Sequence, residues 1–110
     1  MFYKIEKVNE LLRQELGKII LEEEEFGAGV LVTIMAVKTA PDLLDATVFI
    51  SVLPTKQGAA ALKRLTGHSP HLQYLLTKQL KMHPVPKIKF VLDRSEDESE
   101  KVETLLNKIK

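Results

Sequence analysis

The sequence predicts a mixed α/β fold, one layer of three strands with helices packed on it. Three observations lead there. Apolar side chains recur at intervals of three and four over residues 5–20, as on the buried face of a helix. Segments 30–37, 46–53 and 87–93 have the length and β-branched content of strands. Between the last two lies a long stretch of alanine and leucine at helical spacing. A chain of 110 residues supports one hydrophobic core, and a layer of helices on a sheet is the simplest way to bury these faces.

In the first helix Ile5, Val8, Leu11, Leu12, Leu16, Ile19 and Ile20 form the apolar stripe. It runs into Glu22-Glu23-Glu24-Glu25, where carboxylates oppose the negative end of the helix dipole, so the helix should fray before Gly27 and Gly29. That acidic run reads as solvated surface. The segment VLVTIMAV (30–37) is almost continuously apolar, as in a strand covered on both faces. APDLLD then forms a turn. ATVFISVL (46–53) follows, with Ala46, Val48, Ile50 and Val52 on one side. The short connection suits an antiparallel pair.

Thr55 can cap a second helix that ends near Gly67. Ser69 and Pro70 read as the N-cap and first-turn proline of a third helix reaching about Leu80, with His68 in the corner between them. His-Pro-Val-Pro (83–86) imposes an extended approach to the strand KIKFVLD (87–93), where Ile88, Phe90 and Leu92 face one way. Ser95 and Glu98 form a capping box for a last helix with Val102, Leu105, Leu106 and Ile109 on its buried stripe. The expected order is α-β-β-α-α-β-α. No repeat or linker interrupts it, so residues 1–110 are expected to form a single domain.

Composition narrows the function classes. With no cysteine there can be no disulfide, thiolate metal site or cysteine nucleophile. The N-terminal MFYKIEKVNE is charged and amphipathic, unlike a signal peptide, and the longest apolar stretch (28–37) is too short to span a bilayer as a helix. A cytoplasmic location without membrane contact is expected. No GxSxG, P-loop or HExxH motif occurs. Asp42 and Asp45 sit in a turn, where aspartates are routine. His68 and His71 have ligand-like spacing but no third ligand nearby. Neither enzymatic activity, metal, cofactor nor small-molecule substrate is expected.

The net charge of +1 conceals a separation. Residues 1–26 carry four basic and seven acidic groups, whereas residues 55–92 hold Lys56, Lys63, Arg64, Lys78, Lys81, Lys87 and Lys89 without one carboxylate. Within that stretch His71, Tyr74, Lys78 and Lys81 recur at helical steps and would share a face opposite Leu72, Leu76 and Leu80. Lys63 and Arg64 precede the corner and Lys87 and Lys89 follow it on the strand. Lysines contact phosphates as point charges, and a tyrosine or histidine ring can stack on an unpaired base. A solvated lysine-rich face is the alternative; the missing carboxylates favour a polyanion.

The chain resembles the ribosome-binding factor A family from about Lys7 to Ile109. The resemblance rests on KVNELLRQELGKII, on Asp42-Leu43, Ala46, Val48 and Ser51 in TAPDLLDATVFISVL, and on Pro86, Ile88, Phe90 and Asp93 in VPKIKFVLD. It implies a KH-like (type II) α/β domain whose helix pair meets at an Ala-x-Gly kink. Aligned without gaps, that kink falls on His68-Ser69-Pro70, and two family arginine positions fall on Gln73 and His83. It further implies a non-enzymatic, monomeric assembly factor that binds the small ribosomal subunit and its rRNA and assists late maturation, including in the cold. Lys63, Arg64, His68, His71, Tyr74, Lys78, Lys81, Lys87 and Lys89 are the candidate RNA contacts. A protein–protein adaptor on the same scaffold, without RNA contact, is the alternative.

Overall fold

The computed structural model describes residues 4–93. Helix α1 spans Ile5–Glu23 and buries Val8, Leu12, Leu16, Ile19 and Ile20 along one face, while Leu11, expected on that stripe, is exposed. The helix stops at Glu24, which turns extended while its N–H still reaches the Ile20 carbonyl at 2.9 Å. Gly27 and Gly29 follow with φ of 101° and 76°, a region that side-chain-bearing residues rarely adopt, and they turn the chain into the sheet.

Strand β1 (Leu31–Thr39) pairs antiparallel with β2 (Asp45–Leu53), with a bulge between Ile34 and Ala36. In the connecting turn the Leu44 N–H donates to Asp42 Oδ1 at 3.0 Å, the turn chemistry expected of that aspartate. Strand β3 (Lys87–Leu92) joins the other side of β2 in parallel, so β2 is central and β1 and β3 are edges. A parallel partner needs a crossover, supplied by a 3-10 turn (Thr55–Gln57) and helix α2 (Gly58–Gln79). Thr55 makes no side-chain cap and opens the 3-10 turn instead. Helix α1 lies over β1, α2 over β3, and the two helices touch side by side.

Two further expectations need correction. The near-continuous apolar run of β1 does not make a doubly covered strand: Leu31, Thr33 and Met35 are exposed. An edge strand beneath α1 has one covered face, and its β-branched residues serve strand conformation as much as burial.

More consequential is α2, which runs unbroken through Gly67, His68, Ser69 and Pro70 where a corner between two helices was expected. Ala61, Leu65, Leu72 and Leu76 are buried on one continuous stripe. An interior proline costs a helix about 3 kcal/mol, but each buried leucine contributes about 1.5–3 kcal/mol, so three fully buried leucines outweigh it. Pro70 itself is exposed.

The sheet-facing residues Ala46, Val48, Ile50, Ile88 and Phe90 join Leu72, Leu76 and the α1 stripe in one core, as expected. The helix expected to open at Ser95 and Glu98 lies outside the described residues.

Candidate nucleic-acid interface

Because α2 is one helix, its outward side is one ridge. Lys63, Tyr74 and Lys78 lie opposite the buried Leu65, Leu72 and Leu76 and are exposed. Lys78 Nζ sits 5.1 Å from the centroid of the Tyr74 ring, a cation–π contact on a side chain left 57% exposed. An aromatic face this open can take a planar partner, with the ammonium displaced or shared. His71 lies at the margin of the ridge, with Nε2 3.6 Å from Glu23 Oε2. Lys81 does not share the helical face expected of it, because α2 ends at Gln79; it is exposed just beyond the end.

Arg64 and His68 point elsewhere, to the flank facing the end of α1. There Glu24 Oε2 accepts from Arg64 Nε at 2.9 Å, and its carboxylate meets His68 Nδ1 at 2.7 Å (Oε1) and 3.0 Å (Oε2). The Glu24 side chain is 2% exposed. A buried carboxylate is tolerated only when paired, and α2 supplies both partners from positions one turn apart. The acidic run is therefore not uniformly solvated surface. Its third member is a structural anion, and two of the expected RNA contacts are tied to it. Sequence reading missed Glu24 because its partners lie 40 and 44 residues away.

Lys87 and Lys89 are exposed on β3 and wall a groove of about 450 Å³ between that strand and α2, with Thr66, Ser69, Pro70, Gln73, Ile88 and Phe90. Pro70 has no N–H to offer the Thr66 carbonyl four residues earlier, so the proline leaves an acceptor beside this groove. Gln73 is a second residue the sequence did not single out for its structural role. Its Nε2 donates to the Pro86 carbonyl at 3.0 Å, and its Oε1 accepts from the Ile88 N–H at 2.9 Å. The amide thus pairs with the open edge of β3 as a strand residue would. The candidate cations accordingly divide among the outer ridge, the Glu24 flank and the β3 groove.

Among the described residues no three His, Asp or Glu side chains converge as a metal site, and no helix is long and apolar enough to cross a membrane.

A sheet with one antiparallel and one parallel pairing, two helices on one face and a cationic helix ridge defines an α/β domain of the KH-like kind. The chain belongs to the ribosome-binding factor A family, whose sequence model matches residues 4–106. Ribosome-binding factor A of Opitutus terrae is 32% identical over 104 residues, covering 94% of this chain and 84% of that protein. The crystal structure of ribosome-binding factor A from Thermus thermophilus superposes with a TM-score of 0.71 at 22% identity, over 84% of this chain and 98% of that one. A homology model of the Thermus thermophilus factor, fitted into a cryo-EM map of its complex with the 30S subunit, superposes with a TM-score of 0.69 at 23% identity, over 84% and 97% of the two chains.

Proposed function

We propose that this protein is a non-catalytic, monomeric cytoplasmic factor that binds the small ribosomal subunit and assists late maturation of its rRNA, including at low temperature. One observation carries the reading: the carboxylate-free α2 presents Lys63, Tyr74 and Lys78 on a single exposed ridge. Family membership and the 30S complex of the Thermus relative support it. In this reading Lys63, Lys78 and Lys81 neutralise phosphates, Tyr74 or His71 stacks on an unpaired base, and Lys87 and Lys89 extend the track across the β3 groove. Residues 1–110 act as one domain.

The test is co-sedimentation with purified small subunits across a salt series. Lys78→Ala/Lys81→Ala should flatten the logarithmic salt dependence by about 0.7 to 0.9 for each phosphate no longer neutralised, and stability should stay within about 0.5 kcal/mol. The control is Glu22→Ala/Glu25→Ala, both exposed. Equal binding by the two double mutants would refute RNA contact through this face. The adaptor reading draws on a different surface, where Leu21, Leu31 and Met35 stand exposed around the α1–β1 side; it predicts shallow salt dependence.

A further inference from the structure

The Glu24 flank has a geometry that a simple ion pair does not require. The carboxylate is buried, whereas its two partners are half-exposed, Arg64 at 43% and His68 at 50% of the side chain. Arg64 uses Nε, and its two terminal nitrogens make no hydrogen bond among the described residues. Fixing Nε fixes the plane of the guanidinium, and with it the direction of those terminal donors. The imidazole is held in the same way. A carboxylate only accepts, so the neutral His68 ring must carry its hydrogen on Nδ1, and Nε2 is left on the far side from Glu24. The two side chains are one helical turn apart and held by one anion, with His68 Nε2 and the Arg64 terminal nitrogens left without a hydrogen-bond partner among the described residues.

We propose that Glu24 is the positioning residue of a phosphate seat, aiming Arg64 and His68 at one backbone phosphate of the bound RNA. The inference rests on the reading that α2 faces rRNA. A phosphate fits this seat because the planar guanidinium and the protonated imidazole both donate charge-assisted hydrogen bonds to its oxygens. A neutral ring with its hydrogen on Nδ1 has only a lone pair at Nε2, so the seat is complete when His68 carries both protons, Nδ1–H directed to Glu24 and Nε2–H to the phosphate. Glu24 then offsets one of the two positive charges, and the seat works through fixed direction as well as charge, in contrast to the point charges of Lys63 and Lys78 on the ridge.

That contrast sets the sign of the test. Glu24→Gln removes a negative charge from the surroundings of a polyanion site, and electrostatics alone predicts tighter binding. The seat predicts about ten-fold weaker binding to purified small subunits at physiological salt, the size expected when a hydrogen bond to a charged group is removed. His68→Ala should weaken binding similarly in the native chain and by less than about two-fold in the Glu24→Gln background. Arg64→Lys, which keeps the charge and removes the fork, should weaken binding to the same extent; it also serves if Glu24→Gln fails a melting check for folding.

Long-range nitrogen–proton NMR of the full chain supplies a readout independent of RNA. The neutral His68 ring should hold its proton on Nδ1 in the native protein and lose that preference in Glu24→Gln. A proton on Nε2 in the native protein overturns the proposal. So does unchanged or tighter binding by Glu24→Gln when Lys78→Ala/Lys81→Ala binds weakly, an outcome that leaves the proposed function standing. Full binding by the lysine double mutant instead refutes RNA contact through the ridge, and the tautomer then decides the positioning role alone.

Discussion

Helices α1 and α2 are 19 and 22 residues long and end for different reasons. No proline stops α1. It stops where its apolar repeat stops, with Glu24 turning inward to Arg64 and His68. Helix α2 contains a glycine and a proline three residues apart in its middle and continues through both. The difference is the burial stripe. In α1 the stripe ends at Ile20; in α2 it is in register on both sides of the interruption, from Leu65 to Leu72 and on to Leu76. Tertiary burial, summed over several leucines, sets helix length here more strongly than local breakers do.

Four substitutions would break or sharpen this comparison. Leu76→Ala cuts the stripe itself and should destabilise by about 2–5 kcal/mol in denaturant melts; a loss below about 0.5 kcal/mol would remove Leu76 from the core. Pro70→Ala should stabilise by about 1–2 kcal/mol in the same melts. An interior proline costs about 3 kcal/mol in the folded helix, partly offset by its restriction of the unfolded chain. Were Pro70 in a first helical turn, the same change would be nearly silent. Gly67→Ala should add about 0.5–1 kcal/mol, since nothing beyond its chain neighbours and its own helix backbone lies within 4 Å of the Cβ it would gain. Ser69→Ala should change thermal stability least, by under about 0.5 kcal/mol; a loss near ~1 kcal/mol would mean that Ser69 caps a separate helix.

Much of the architecture was legible in the sequence. Period-two alternation in 46–53 and 87–93 placed Val48, Ile50, Ile88 and Phe90 in the core, and the helical repeat did the same for Leu12, Leu16, Leu72 and Leu76. The continuity of α2 was harder, because Gly67 and Pro70 are strong local signals. The opposing signal was present in the seven-residue step from Leu65 to Leu72, which keeps phase as two independent helices have no reason to do. At the candidate interface, composition marked the cationic stretch but not its division among three directions. The grouping of Glu24 with Arg64 and His68, and of Gln73 with the β3 edge, follows from chain reversal through the sheet. Such pairings between distant segments leave no local period to read.

The Gln73 amide has a consequence for the protein's behaviour in concentrated solution. An open three-stranded sheet offers two rows of unpaired backbone groups, and such rows invite other chains to add strands and aggregate. Here each edge is interrupted by a carboxamide from the helix above it. Gln73 occupies Ile88 on β3 and Pro86 just before it, and Asn9 Oδ1 accepts from the Thr39 N–H on β1 at 2.8 Å. The bulge at Met35 further spoils the flat register that a neighbouring strand would need. Two uncharged side chains and one extra residue thus guard the sheet against its own copies, alongside the lysines that both edge strands carry.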